Sequence, residues 1–280
     1  MIKVGVDIGN SKISCIVYDI KKNGYKKILS FVSNPTNSFK QSTIASIDEI
    51  KNEIKETIFN AAQESQTEIL SVNLNVPAID SLSIYLDSKI NLKNEKISDL
   101  HIKKAINQSN FLDLVENYQI IHKSIINYEL DQNSIVSDPR GMFGNDLKVK
   151  FYKFAIKANM IKTISTIFDQ LNIHIENFIP SPLSSSLATL NNDDKSLGAI
   201  CIDFGSASTS VSVFENKKLI FINSIKVGGK HITNDLAKKF STTIESAERL
   251  KTLYGSVTTS PSDEYEIIEV QSMDSDNAVS

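Results

Sequence analysis

The feature that most constrains this chain is a repeat of an apolar run ending in an acid, a turn of small polar residues, and a second apolar run. The first copy runs from Ile2 to Ile8 with Asp7, turns at Gly9-Asn10-Ser11-Lys12, and continues from Ile13 to Tyr18. The second runs from Leu197 to Phe204 with Asp203, turns at Gly205-Ser206-Ala207-Ser208, and continues from Thr209 to Phe214. β-branched runs bounded by Gly, Asn and Ser read as hairpins. Their recurrence far apart in the sequence reads as two lobes related as halves of one site. With 280 residues and 41% hydrophobic content, the chain is long enough for two cores.

Between the copies the pattern changes several times. Leu29 to Val32 continues the first sheet, and Ile47, Ile50, Ile54, Ile58 and Ala61 have helical spacing within 47–63. Ile69 to Val76 is strand-like and is closed by Pro77. From about Ser81 to Ala158 the texture is that of a small α+β insert, with strands over 82–92, 120–130 and 147–156 and a helix over 98–109. A helix over 160–171, a strand over 173–179 and a helix beyond Pro180-Ser181-Pro182 follow. The polar stretch Asn191 to Lys195 is the expected connection between lobes. Beyond the second hairpin come a strand over 219–225 and helices over 234–240 and 243–254. A Ser/Thr/Pro loop at 256–263 and a mobile polar end at 274–280 complete the reading. The fold class is therefore α/β, with domains at 1–80 plus 159–192, an insert at 81–158, and a second lobe at 193–280.

Charge and composition narrow the partners. A net charge of -3 gives no basic footprint for nucleic acid. Cys15 and Cys201 lie in apolar runs, where a thiol acts as a small hydrophobe, and a reducing, cytoplasmic setting is expected. The start of the chain enters a strand at once, without the apolar stretch of an export signal. Polar residues interrupt every apolar run well short of the ~20 residues that cross a bilayer. The four histidines, His101, His122, His174 and His231, are scattered without metal-ligand spacing and read as structural or exposed.

The chemistry rests on the two turns. Small residues at a hairpin tip offer several backbone N–H groups to an anion, and a flanking carboxylate can hold the water shell of Mg²⁺. Asp7, Gly9, Asn10 and Ser11 have these parts, with Lys12 as a point charge for a phosphate oxygen. An ordinary turn also selects Gly, Asn and Ser, so one copy alone carries little. The second copy, Asp203 with Gly205, tips the balance toward a phosphate clamp.

The first turn resembles the phosphate-one motif, and Asp203-Phe204-Gly205-Ser206-Ala207-Ser208-Thr209 the phosphate-two motif, of the actin, sugar-kinase and heat-shock chaperone superfamily. Within it three stretches resemble the FtsA family of bacterial cell-division proteins. They are Asp138-Pro139-Arg140-Gly141-Met142-Phe143-Gly144, preceded by His122; Val227-Gly228-Gly229-Lys230-His231-Ile232-Thr233; and Ala247 to Gly255. The resemblance implies an actin-like (ribonuclease H-like) two-lobed ATPase fold whose insert serves interactions. It implies ATP with Mg²⁺ held through water by Asp7 and Asp203, the catalytic pair. Gly9, Asn10, Ser11, Lys12, Gly205, Ser206, Ala207, Ser208, Thr209, Gly228 and Gly229 would line the nucleotide, with Glu248 and Lys251 on the ribose and base. Glu248 and Lys251 also share a helical face, where a surface ion pair worth under ~1 kcal/mol is the plain alternative. The implied role is polymerisation and linkage of the FtsZ ring to other division proteins and to the cytoplasmic face of the inner membrane at the division site.

The sequence departs from the family pattern at several points. Ser206 and Ala207 stand where glycines are usual, and a Cβ there opposes positive φ or close approach of a phosphate. Ser210 replaces a frequent acid, and Ser181 falls where several actin-like enzymes carry a glutamate that orients water, so hydrolysis is expected to be weak or absent. The second lobe reads as incomplete, and no amphipathic membrane-targeting helix is found before Ser280. The competing functions are a pilus-assembly adaptor, a sugar or small-acid kinase of the same fold, and a nucleotide-free scaffold.

Overall fold

The computed structural model describes residues 1–40, 43–110, 116–131, 134–258 and 267–270. The loop expected at 256–263 lies outside the described residues from 259 onward, and the polar end at 274–280 lies wholly outside them. Among the described residues no helix is long and apolar enough to cross a membrane.

The chain opens with β1 (Ile2–Ile8), β2 (Lys12–Ile20) and β3 (Lys26–Pro35), an antiparallel meander. Strict alternation decides its faces: Val4, Val6 and Ile8 of β1 and Ile13, Cys15 and Val17 of β2 are buried on one side. The short strands β4 (Phe39–Lys40) and β5 (Thr43–Ile44) lead to helix α1 (Ile47–Ser65). Ser46 caps this helix by accepting from the Glu49 N–H, and Asp48 and Glu49 favour its positive end. Ile50, Ile54, Ile58 and Ala61 form its buried stripe, as the spacing predicts. Strand β6 (Ser71–Val76) joins β1 in parallel.

The insert contains β7 (Leu82–Lys96), α2 (Asp99–Asn110), β8 (Tyr118–Leu130), β9 (Ser134–Val136) and β10 (Phe143–Lys157), with sheet order β7-β10-β8-β9. Its strands run further than their apolar cores suggest. Strand β10 feeds two cores because a strand alternates sides. Leu147, Val149 and Phe151 pack with Ile90, Leu92, Ile102 and Ala105 in a core of the insert's own. Tyr152, Phe154 and Ile156, on the other face, join the core built on β1 and α1.

Helix α3 (Ala158–Gln170) buries Ile161, Ile164, Ile167 and Phe168, and β11 (His174–Pro180) pairs in parallel with β6. The first sheet therefore has the order β11-β6-β1-β2-β3. Helix α4 (Ser181–Thr189) starts directly after Pro180, with Pro182 in its first turn, where a missing N–H costs nothing. The polar stretch read as a connection is instead a short helix, α5 (Asn192–Leu197). Asn191 accepts from the Asp193 and Asp194 N–H groups, and the Asp194 carboxylate accepts from the Asn191 N–H, a reciprocal cap. Because α5 takes Leu197, and Gly198 follows at φ +102, the next strand starts at Ala199.

Strands β12 (Ala199–Phe204), β13 (Thr209–Glu215) and β14 (Lys218–Ile225) form a three-stranded sheet in sequence order. Helices α6 (Gly229–Lys239) and α7 (Ile244–Tyr254) follow, α6 starting earlier than its apolar spacing indicates. The chain forms two compact units: Met1–Asp203 with Ser210–Ile225, and Phe204–Thr209 with Lys226–Ser280. Within the first unit, β14 is tied to the insert by side chains that reach its main chain. Ser83, Tyr85 and Ser124 hydroxyls donate to the Ile222, Ile220 and Leu219 carbonyls at 2.6, 2.8 and 2.8 Å, and Lys218 donates to the Ile126 carbonyl at 2.8 Å. The lobe division read from sequence did not foresee this attachment.

Candidate functional site

In the first unit the site begins at the end of β1. Asp7 lies on the face of the sheet opposite Val6 and Ile8, at one end of a groove of about 570 Å³ that also touches Lys3, Asn73, Asn75 and Glu176. Parallel pairing places Asn75 of β6 beside Asp7, and the Asn75 and Ser181 side chains stand near enough to its carboxylate to favour the charged form. Asp203, at the end of β12, is close enough for its charge to act on Asp7, and the Ser185 hydroxyl donates to Asp203 Oδ2 at 2.6 Å. Burial pushes the Asp7 carboxyl above its ordinary range and the Asp203 charge adds to this, while Asn75, Lys12 and Ser181 oppose it. The two acids singled out from sequence are therefore brought together, with Lys12 as a nearby positive charge.

The two turns share one backbone device. The Gly9 N–H donates to the Lys12 carbonyl at 3.0 Å, and the Gly205 N–H donates to the Ser208 carbonyl at 2.9 Å. A Cβ on Gly9 would stand 3.0 Å from the Lys12 oxygen, and one on Gly205 would stand 2.9 Å from the Ser208 oxygen. A side chain would therefore be crowded at both turns, slightly more so at Gly205. Asn10, Ser11, Ser206 and Ala207 are all outside the positive-φ region. The strain expected of Ser206 and Ala207 is therefore absent, because this turn never asks for a left-handed backbone.

In the second unit the Gly205 turn is clamped to the start of α6. The Gly229 N–H donates to the Gly205 carbonyl at 3.0 Å and the Lys230 N–H to the Ser206 carbonyl at 2.8 Å. A Cβ at Gly228 would fall 2.4 Å from the Gly205 oxygen and 2.7 Å from the Ser206 oxygen, so only glycine permits this approach. The Thr209 hydroxyl donates to the Val227 carbonyl at 2.7 Å, tying the far side of the turn to the same segment.

Glu248 and Lys251 lie on α7 and form more than a surface pair. Lys251 Nζ donates to Glu248 Oε2 at 2.6 Å, to Thr233 Oγ1 at 2.9 Å and to the Gly229 carbonyl at 3.3 Å. Lys251, and then the Thr233 hydroxyl, hold the Glu248 carboxyl below its ordinary range. The pair therefore fixes α7 against α6 through the buried Thr233.

The donor set around Asp7 and Asp203 fits hydrated Mg²⁺. It offers hard oxygens, and two carboxylates that repel one another gain from a divalent cation between their water shells. ATP bound with that ion would bring the phosphate charge, and the chain's own part would be to hold the two acids.

Four residues of this region were not singled out from sequence. Asn75 is visible locally only as an outward position in an alternating strand, since its neighbour Asp7 comes from a distant pairing. Ser184 and Ser185 are hidden in a run of three serines, and Ser184 donates to Asn75 Oδ1 at 2.7 Å. Thr233 looks like any threonine in a helix. The Asp138 to Gly144 stretch lies elsewhere, as the turn into β10. There Arg140 donates to Asp99 at 2.7 Å and Asp138 at 2.8 Å, and Gly141 reverses the chain at φ +85. His231 accepts from the Gly228 N–H at 3.1 Å as a cap, and His122 is a half-buried strand residue whose pKa desolvation pulls below the ordinary imidazole value. Burial pushes the Cys15 thiol up to about 12, that of an inert core residue.

The class follows from the fold: this is an actin-like ATPase fold. The chain resembles a chain of a PilM-PilN type IV pilus biogenesis complex (TM-score 0.63, 16% identity, 90% of this chain and 70% of that one). It also resembles the ethanolamine utilization protein EutJ from Carboxydothermus hydrogenoformans (TM-score 0.52, 13% identity, 90% and 61%). MreB5 of Spiroplasma citri bound to ADP is a third likeness (TM-score 0.50, 12% identity, 93% and 64%). At these identities the likeness concerns fold alone.

Sequence comparison gives the family. The profile described as cell division protein FtsA matches residues 200–280, and that of the SHS2 domain inserted in FtsA matches 81–154. Cell division protein FtsA of Rhizobium meliloti (strain 1021) is 27% identical over 97% of this chain, and that of Pseudomonas aeruginosa is 22% identical over 90%. The chain belongs to the FtsA family of cell-division proteins. It spans 64% of the length of the first of these relatives and 60% of the second.

Proposed function

We propose that this protein is an ATP-binding, actin-like cell-division protein that polymerises and links the FtsZ ring to other division proteins and to the inner membrane at the division site. The observation that carries the nucleotide part is the recurrence of one backbone turn, Gly N–H to the carbonyl three residues on, beside Asp7 and beside Asp203. In this reading Asp7 and Asp203 hold Mg²⁺ through water. Gly9, Asn10, Ser11 and Lys12, and Gly205 to Thr209 with Gly228 and Gly229, meet the phosphates. Glu248 and Lys251 meet the ribose and base.

The division part rests on the family, and the inserted subdomain at 81–158 is the interaction module, supported by its own hydrophobic core. The groups beside the acid pair are Asn75, Ser181 and Ser185, neutral side chains that favour carboxylates and are poor proton acceptors. That favours binding with slow or no hydrolysis over a sugar or small-acid kinase, which needs a base beside the γ-phosphate. A pilus-assembly adaptor shares the fold, and the family match favours division.

The test is calorimetric titration with ATP, with and without Mg²⁺, on the wild-type chain, Asp7→Ala and Glu248→Ala. Asp7→Ala should weaken Mg²⁺-ATP binding by about tenfold or more, the scale of a lost charge-assisted contact, and Glu248→Ala by less. Equal and negligible effects would mean that the pocket is elsewhere. Phosphorylation of a sugar by the wild-type chain would replace the adaptor reading with a kinase.

A further inference from the structure

We infer that the serine face of α4 is a positioning platform for the two carboxylates, and that Ser185 sets how Asp203 is presented to the Mg²⁺ that accompanies the nucleotide. This rests on the nucleotide-binding reading above and adds a residue-level cause to it. Ser181, Ser184 and Ser185 stand at the spacing that shares one side of a helix. Pro182, Leu183 and Ser186 are buried, and the Ser186 hydroxyl hydrogen-bonds the Ser212 hydroxyl of β13, so the helix itself is anchored.

From the serine side three contacts reach the acid pair. Ser185 donates to Asp203 Oδ2 at 2.6 Å, Ser184 donates to Asn75 Oδ1 at 2.7 Å, and Ser181 stands beside Asp7. The Ser184 hydroxyl donates to the Asn75 side-chain carbonyl, which fixes which end of that amide faces α4, and the Asn75 side chain favours the Asp7 carboxylate. Asp203 is thus held directly, and Asp7 is reached through a neighbour.

The chemistry of the donors matters as much as their placement. Two carboxylates that repel each other swing apart unless something holds them, and a Lys or Arg would do so by neutralising the charge that attracts Mg²⁺. A hydroxyl takes one lone pair and leaves the charge intact. Ser185 engages Oδ2 of Asp203, so Oδ1 is the oxygen left for the ion's water shell, which is the preorganisation that a hydrated cation site requires.

The experiment is a Mg²⁺ titration of nucleotide binding, read with ATP carrying a fluorescent ribose label. The proteins are the full 280-residue chain, Ser185→Ala, Ser185→Thr and Ser184→Ala, with each series repeated in EDTA. Ser185→Ala should raise the Mg²⁺ concentration for half-maximal binding by about tenfold, as expected when one hydrogen bond to a charged group is lost. Binding in EDTA should stay at the wild-type level. Ser185→Thr, which keeps the hydroxyl, should restore the wild-type midpoint, and Ser184→Ala, acting only through Asn75, should move it less. An unchanged midpoint in Ser185→Ala overturns the inference while leaving nucleotide binding in place. Equal losses with and without Mg²⁺ overturn it too, because they mark a merely structural role. Failure of the wild-type chain to bind the labelled nucleotide with Mg²⁺ removes the functional reading and this inference with it.

Discussion

The two acidic hairpins agree in their turns and differ in what covers them. Aligning Asp203 on Asp7 sets Ile200, Ile202 and Phe204 against Val4, Val6 and Ile8, all apolar and all on one side of the strand. The first three are 66%, 54% and 78% exposed; the second three are 5%, 2% and 1% exposed. In the first copy α1 and α3 pack into the same core as β1, and β6 pairs along its outer edge. In the second, among the described residues, β12 is an edge strand with only β13 beside it. Local sequence therefore sets the hairpin and its turn, whereas burial belongs to the elements that arrive from elsewhere in the chain.

The largest effect expected from this contrast comes from placing a charge at the matched central position. Val6→Asp puts an unpaired carboxylate into the core and should cost upward of about 4 kcal/mol, abolishing the cooperative urea transition of the first unit. Ile202→Asp, at the corresponding site, should stay within about 0.5 kcal/mol of the wild-type chain. Circular dichroism during urea unfolding measures both. If Ile202→Asp proved as damaging as Val6→Asp, the β12 face would be covered in solution, and the contrast would be one of assembly.

The same contrast explains what could be read from the sequence. Val4-Gly5-Val6-Asp7 and Ile13 to Val17 alternate so regularly that strand, face and turn follow without a structure. The stripe of Ile50, Ile54, Ile58 and Ala61 announces α1 equally well. Legibility fails where a fact depends on a distant partner. Asn75 joins the site only because β6 lies parallel to β1, and Ser185 only because α4 carries it to Asp203. The α5 helix was missed for a different reason: its reciprocal Asn191–Asp194 cap makes a helix from residues that otherwise read as a polar linker. Ser206 and Ala207 were expected to be strained by analogy with glycine, yet the backbone there never enters the left-handed region.

A second contrast lies in how the turns are held. The Gly205 turn is gripped by the first residues of α6, so Gly228→Ala drives a Cβ into two carbonyl oxygens. The backbone cannot yield without breaking the Gly229 and Lys230 hydrogen bonds, and a loss of about 2–3 kcal/mol is expected. At Gly9 the added Cβ meets a single carbonyl at 3.0 Å, and Gly9→Ala should cost about 1 kcal/mol. Thermal unfolding of both variants checks the order. Equal costs would show that the α6 clamp contributes nothing and that the two turns behave as one motif.

The smallest effect concerns the acid of the first copy and is a matter of pH. The folded chain holds the Asp7 proton to a higher pH than the unfolded chain does, because burial and the Asp203 charge both disfavour the carboxylate. Between the ordinary carboxylate value near 3.8 and the raised folded value, the folded state binds more protons than the unfolded state, so stability falls as pH rises through that window. The loss persists at neutral pH. Asp7→Asn has no proton to release and keeps what the wild-type chain gives up. In the absence of Mg²⁺ and nucleotide, its thermal midpoint should match the wild-type value at the acid end of the window and exceed it increasingly toward neutrality, then level off. The difference between the two proteins isolates this one group from every other titration. A difference that shrank as pH rose would mean that the folded state favours the Asp7 carboxylate. The acid pair would then be held by its hydrogen-bond donors more strongly than it is strained by its own charge.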